Sequence, residues 1–293
     1  TEIGIYNDKS YTNWLDMILQ NGTTKNVEVS ELGGSDKTNF VLALGGMFEE
    51  GLMKNDLQDR YNIKTAVDHS INKYLKAGAN LMFTYKDRDA RNSGVFGQSM
   101  KMTTITQPYR LDNGAMIKTP NPRYQAHSNP LLDEIPGAFA NEIESTRLFG
   151  NGYVQLSPVK ELVFKSVFGF DRQTQRNGTY QDYESVSRFQ SPATSYMSST
   201  FENRTGYTWD NTLTYTKVSD AHEIGGLLGH SMSQNVFEST NTFGDAGKEH
   251  FYNSKFYDLT KITTPKTITK YVKTNLLSYF GRLNYKLLDK YLI

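Results

Sequence analysis

Two segments decide the fold: YNIKTAVD at residues 61–68 and LKAGANLMFTYK at residues 75–86. In both segments, apolar side chains occupy every second position, and the positions between them are polar or small. Because successive side chains of a β-strand point to opposite faces, this period predicts strands with one apolar face and one polar face. The second segment exceeds the ~5–6 residues of an average strand and matches the ~9–11 residues of a tilted membrane-crossing strand.

The composition permits a membrane-spanning barrel and disfavours other classes. The net charge is +1, cysteine is absent and the mean hydropathy is −0.58. This balance offers no basic surface for nucleic acid and no thiolate metal site, and the sequence predicts no cofactor. No stretch has the ~18–20 apolar residues of a membrane helix, but alternating barrel strands leave no hydropathy peak. The 19 Tyr and 16 Phe suit the aromatic girdles of a barrel, and equally a tyrosine-rich soluble sandwich.

The same alternation continues along the chain and predicts nine full strands and the start of a tenth. We expect them near residues 25–32, 38–49, 58–68, 74–86, 148–156, 162–172, 207–215, 222–233 and 271–286, with a stub at 291–293. Residues 1–24 are expected to form a loop segment on the extracellular side. Residues 25–293 would then form the barrel wall.

Short and long connections alternate along these strands. Long loops are predicted at about 88–143, 173–204 and 234–270, and tight turns separate them. An antiparallel meander places successive connections at opposite ends, as in outer-membrane barrels with short turns on one rim and large loops on the other. We therefore predict an all-β fold, an antiparallel transmembrane β-barrel that is partial, with nine to ten strands of a larger barrel.

The alternation also predicts which side chains face lipid. The expected outer residues are Leu81, Phe83, Phe164, Phe168, Trp209 and Leu213. The expected lumen residues are Asn80, Thr84, Ser166 and Thr212.

Several short motifs resemble the SusC/RagA-like TonB-dependent transporters of bacterial outer membranes. They are TNWLD at 12–16, GGSDKT at 33–38, EEGLMKN at 49–55, SINKYLKAGAN at 70–80 and SYFGRLNY at 278–285. The match covers strands and short turns over nearly the whole chain, and the long loops lie outside it. The segment VSELGG at 29–34 departs from the family pattern, in which the third position is apolar and the fourth is serine.

The resemblance implies a function and partners. It implies TonB-dependent import of oligosaccharide or peptide fragments through a barrel in the bacterial outer membrane, without enzymatic activity. The implied partners are a SusD-like surface lipoprotein, TonB through a segment that this sequence does not contain, the imported ligand and membrane lipid. The family's plug and about half of its strands are also missing, so we expect the chain to be a fragment with open sheet edges.

The candidate contact residues are aromatic side chains of the long loops. They are Tyr109, Tyr124, Tyr180, Tyr183 and Tyr252, which could stack on sugar rings, contact the lipoprotein or simply pack the loops. Two rival functions remain. A secreted β-sandwich that binds carbohydrate would bury its apolar face against a second sheet, and a glycan-degrading enzyme would need two carboxylates across a cleft, for which only Asp133 and Glu134 stand out.

Overall fold

A computed structural model describes residues 11–121, 127–190, 193–248, 259–288 and 291–292. In these residues ten strands form one antiparallel sheet in sequence order, so that each strand pairs with the next along the chain. The strands are β1 Thr23–Gly34, β2 Thr38–Glu50, β3 Leu57–Ser70, β4 Leu75–Asp89, β5 Phe139–Val159, β6 Leu162–Gln181, β7 Tyr196–Ser219, β8 His222–Asp245, β9 Lys266–Leu287 and β10 Tyr291–Leu292.

The helices are short and lie outside the sheet. They are α1 Trp14–Ile18, α2 Ser93–Lys101 and two 3₁₀ helices, Pro130–Glu134 and Leu259–Lys261. Three of them begin after an asparagine, Asn13, Asn92 or Asn129, whose side chain accepts a hydrogen bond from a backbone N–H of the first turn. Asparagine is favoured at this position because it satisfies a donor that the helix itself leaves unpaired.

The strand register gathers the large apolar side chains on one face of the sheet. Leu81 pairs with Gly150, Gly150 with Phe170, and Phe170 with Tyr207, so these positions share a face. Side chains on this face such as Leu81 and Trp209 are exposed. Within the described residues there is a single sheet, so no second sheet covers the apolar face. The sandwich hypothesis is therefore wrong.

The orientation prediction holds for nine of the ten named residues, because the register puts each on its expected face. The exception is Ser166. It lies two positions from both Phe164 and Phe168 and therefore shares their outer face instead of facing the lumen. Its hydroxyl accepts a hydrogen bond from Trp209 Nε1 at 3.0 Å, which supplies a partner for an indole N–H on the apolar side.

The opposite face is polar and connected across the strands. Asn80 Nδ2 donates to Asn151 Oδ1 at 3.1 Å, and the Thr84 hydroxyl donates to Asn62 Oδ1 at 3.0 Å. The Tyr153 hydroxyl donates to Asp68 Oδ1 at 2.7 Å. Cross-strand pairs of this kind suit the interior of a barrel that holds water and polar solutes.

The strands extend further towards the long-loop rim than the sequence pattern indicates. β7 and β8 each have 24 residues, and the long connections run over residues 90–138, 182–195 and 246–265. At ~3.3 Å per residue such strands are far longer than a bilayer is thick. Beyond the lipid both faces meet water, so the backbone ladder continues after the apolar alternation has ended.

The assignment of faces predicts the effect of a buried charge in lipid. We expect Leu81→Arg to destabilise the folded barrel by ~2–4 kcal/mol, because the guanidinium would face the hydrocarbon region. Asn80→Arg, one residue away on the polar face, is the matched control and should cost much less. Urea titrations of the receptor refolded into lipid vesicles measure both variants. Equal losses would contradict the orientation.

Candidate functional site

The long connections pack together into a structure that we call the rim cap, formed by residues 12–22, 51–56, 90–121, 127–138 and 182–190. Its apolar centre is the buried trio Ile18, Val95 and Leu131, which come from three distant parts of the chain. Partly buried side chains surround this trio, namely Met17, Leu19, Met53, Met116 and Val186. Because this burial links segments far apart in sequence, the connections form a folded unit.

Two adjacent carboxylates, Asp133 and Glu134, join three connections of the rim cap. Asp133 Oδ1 accepts from the Val186 backbone N–H at 2.7 Å, and Asp133 Oδ2 accepts from Asn92 Nδ2 at 2.9 Å. The buried Arg91 forms an ion pair with the neighbouring Glu134, and Glu134 also accepts from Asn55 Nδ2 at 2.7 Å. We call this set of contacts the Asp133 clasp.

Other buried polar groups hold the backbone of the rim cap. Asn129 is fully buried, and its Nδ2 donates to the carbonyls of Pro108 and Ile117 at 3.1 and 2.9 Å. Trp14 Nε1 donates to the Thr103 carbonyl at 3.1 Å. A buried amide that pairs with two carbonyls satisfies groups that would otherwise cost ~1–3 kcal/mol each.

The electrostatics of the rim cap follow from burial. Burial raises the pKa of Asp133 above its ordinary value of 3.8, although the hydrogen bonds from Val186 and Asn92 and the charge of Arg91 act in the opposite direction. Burial likewise lowers the pKa of Arg188, which donates to the Thr194 carbonyl and forms an ion pair with Asp245. Both groups lie beyond the apolar band.

The five predicted tyrosines do not form one site. Tyr180 is fully buried with Met197 and Ile262 and donates its hydroxyl to Asp182, so its side chain has the packing role that was one of the three alternatives. Tyr109 is exposed and Tyr183 is half-buried. Tyr124 and Tyr252 lie outside the described residues.

Helix α2 presents apolar side chains to solvent. Val95 and Ser99 are buried, whereas Phe96 and Met100 are 41% and 65% exposed. Residues four apart on a helix are neighbours on its surface, so Phe96 and Met100 form a small outward apolar patch. A rim with an exposed apolar patch is suited to a protein contact.

The polar face of the sheet holds a concavity of about 260 Å³, which we call the inner-wall basin. It spans β6 to β9 and is lined by Asp171, Gln173, Arg204, Thr205, Gly206, Asn235, Val236, Phe237, Val272 and Thr274. The register explains the depression, because Gly206 lies between Asp171 and Asn235 in one cross-strand row and contributes no side chain.

Charged groups surround the basin. Arg147 makes two hydrogen bonds to Asp171, at 2.9 and 2.6 Å, which pairs both charges. The Arg204 guanidinium lies over the Phe237 ring at 4.6 Å and contacts Glu202 at 3.2 Å. Lys270 Nζ lies 5.7 Å from the centre of the same ring. Sequence analysis missed Arg204, Phe237 and Lys270 because it assigned 173–204 and 234–270 to loops.

The residues considered for metal binding and hydrolysis can be placed in the structure. Among the described residues there is no group of three or more His, Cys, Asp or Glu side chains that could hold a metal ion. Asp133 and Glu134, the pair considered for hydrolysis, both belong to the Asp133 clasp. No helix in the described part of the chain has the length and apolar character needed to span a bilayer.

Sequence comparison finds TonB-dependent receptors. No protein-family model matches the chain. The TonB-dependent receptor P26 of Formosa agariphila is 25% identical over 287 residues, and the match covers 96% of this chain and 28% of the relative. The TonB-dependent receptor P3 of the same organism is 26% identical over 297 residues, with the same shares covered. The chain thus spans 28% of the length of these two relatives.

Solved structures share the fold. The RagAB peptide transporter matches with a TM-score of 0.76 and 20% identity, over 95% of this chain and 32% of that chain. The RagAB peptide importer in its closed-closed state matches with a TM-score of 0.75 and 20% identity, over 94% of this chain and 31% of that chain. The ten-stranded sheet is therefore a partial barrel of this kind, as its strand pattern predicted.

The Asp133 clasp should control the stability of the rim cap. Asp133→Ala leaves the Val186 N–H without its acceptor and removes one of the two acceptors of Asn92 Nδ2, which also donates to Ser187 Oγ. We therefore expect local opening of the rim cap to become easier by ~1–3 kcal/mol. Amide hydrogen exchange of the receptor measures this change. Asp112→Ala is the control, because Asp112 forms an exposed ion pair with Arg110 at 3.5 Å in the same segment. Similar exchange in the two variants would refute the role of the clasp.

The raised pKa of Asp133 also predicts a pH dependence. A carboxyl whose folded pKa lies above its unfolded pKa binds protons more tightly when folded, so stability falls as pH rises through the folded pKa. We expect hydrogen exchange in the rim cap to slow as pH falls from neutral towards 3.8, the ordinary carboxyl value, after correction for intrinsic rates. Asp133→Asn cannot titrate and should flatten this dependence. An unchanged profile in that variant would assign the effect to other groups.

Proposed function

We propose that this chain, a barrel segment of a SusC/RagA-like TonB-dependent receptor in the bacterial outer membrane, works in the import of oligosaccharide or peptide fragments. The observation that carries the proposal is the division of one sheet into an apolar outer face and a polar, hydrogen-bonded inner face, with a folded cap at one rim. Such a wall separates lipid from an aqueous passage. The proposal includes no reaction catalysed by the chain.

The rim cap is the proposed contact for a SusD-like surface lipoprotein. Support comes from the outward apolar patch of Phe96 and Met100 and from the buried core that fixes helix α2 in place. A preorganised patch loses little entropy on binding, which favours recognition of one partner. The RagAB peptide importer, whose name describes its function, shares this fold.

Energy coupling through TonB is proposed from the similarity to TonB-dependent receptors. The inner wall supports the proposed substrate class, because it carries amides, hydroxyls, charged groups and the aromatic ring of Phe237. Both oligosaccharides and peptides use such groups, so the proposal covers both. Tyr109 and Tyr183 of the rim cap remain candidate contacts for ligand or partner, and so do Tyr124 and Tyr252, which lie outside the described residues.

The docking proposal predicts the effect of charge in the apolar patch. Phe96→Asp and Met100→Asp should each weaken lipoprotein capture by about tenfold or more, because a carboxylate would be desolvated at the contact. Co-purification of the lipoprotein with the receptor from detergent-solubilised outer membranes measures capture, and uptake of labelled oligosaccharide or peptide measures transport.

Val218→Asp is the matched control, because Val218 is 71% exposed at the short-turn end of β7, on the opposite rim. It should leave capture and uptake unchanged. Heat-modifiable migration on gels checks that each variant still forms a barrel. If a correctly assembled double variant with Phe96→Asp and Met100→Asp still captured the lipoprotein fully, the rim cap would not be its contact surface.

A further inference from the structure

The inner-wall basin consists of two neighbouring cross-strand rows on the polar face. One row is Asp171, Gly206, Asn235 and Thr274, and the other is Gln173, Arg204, Phe237 and Val272. A Cβ atom added at Gly206 would come within 2.7 Å of Asn235 Oδ1, so a larger residue at this position would displace the Asn235 side chain towards the basin.

Arg204 is positioned to bind a planar anion. Its guanidinium lies over Phe237 at 4.6 Å, and an aromatic ring beneath a guanidinium holds its plane while leaving N–H groups on its edge. Its contact with Glu202 at 3.2 Å runs through one nitrogen, Nη2. The side chain of Arg204 is 58% exposed, so its remaining donors are accessible from the basin.

The balance of charge around the basin also favours an anion. Asp171 forms a two-bond pair with Arg147, so its charge is already compensated. Counting Arg147, Arg204 and Lys270 against Asp171 and Glu202 leaves one positive charge in excess. Gln173, Asn235 and Thr274 line the same space and offer amide and hydroxyl groups to the polar atoms beside the anion.

We propose that the inner-wall basin is a subsite for the carboxylate of an imported fragment, with Arg204 as the residue that binds it. A carboxylate matches the fork of guanidinium N–H donors and can accept two parallel hydrogen bonds. Two sources share this chemistry: the C-terminal carboxylate of a peptide and the carboxylate of an acidic sugar. The inference deepens the proposed function and rests on it.

Calorimetric titration of the purified receptor in detergent distinguishes the two sources. One arm compares a short peptide with its C-terminal amide, and the other compares an oligouronate with the corresponding neutral oligosaccharide. We expect the carboxylate form to bind about tenfold or more tightly in at least one arm, as for a hydrogen bond to a charged group. The arm that shows the preference identifies the source, and equal binding in both arms overturns the proposal.

Three variants and one control test the assignment to Arg204. Arg204→Gln should abolish the preference for the carboxylate form, whereas Arg204→Lys should retain part of it because the charge remains without the fork. Arg172→Gln is the control, because Arg172 pairs with Thr205 and lies on the outer face next to the basin. Gly206→Leu adds a side chain to the basin without changing its charge. It should weaken binding of the carboxylate form more than binding of the amide or neutral form.

The outcomes separate this inference from the proposed function. If Arg204→Gln and Gly206→Leu both keep the full carboxylate preference, the basin is not the subsite, even where uptake by cells is normal. If the wild-type receptor imports neither peptide nor oligosaccharide, the proposed function fails while the binding comparison still stands. Heat-modifiable migration confirms that each variant is a folded barrel before titration.

Discussion

The structure depends on one constraint: a bilayer offers no partner to a backbone N–H or carbonyl group. Each unpaired group in hydrocarbon costs several kcal/mol, so a strand can cross only when both neighbours complete its hydrogen bonds. Here every strand from β2 to β8 pairs on both sides, in sequence order, whereas β9 pairs with β8 along its length and with β10 at two residues. This ladder fixes the alternation of faces, and the alternation in turn allows one sheet to meet lipid on one side and a polar interior on the other.

At the long-loop rim water can pair with backbone groups, so the chain there is no longer restricted to a closed sheet. Above the lipid, β7 and β8 continue as polar strands, and the connections fold on their own core of Ile18, Val95 and Leu131. Water is available there, yet the rim cap buries Asp133 and pairs it with Val186 and Asn92. A buried carboxylate that binds a second connection holds the two in a defined arrangement, because separating them removes the Val186 donor from Asp133.

Sequence reasoning recovered what depends on periodicity. The apolar series through Leu81 and Phe83 identified strand, face and fold class, because lipid selects side chains at every second position. It did not recover features set by other forces. Ser166 faces the apolar side because the pleat dictates its direction whatever its polarity, and its partner Trp209 comes from the next strand. The sequence could not decide between a contact role and a packing role for Tyr180, because its burial depends on Met197 and Ile262, which are distant in sequence.

The inner-wall basin shows why function is harder to read than fold in such a sheet. Arg204 and Phe237 are 33 positions apart and become neighbours only through the register of β7 with β8. Arg147 on β5 bonds diagonally to Asp171 on β6 and compensates its negative charge. The residue pattern of neither strand alone indicates this ion pair. The hydrogen-bonded strands therefore hold polar side chains from different strands at fixed distances, although the sequence of each strand shows only the alternation of apolar and polar residues. Specificity in the wall thus depends on pairing between strands, whereas the fold depends on the period within each one.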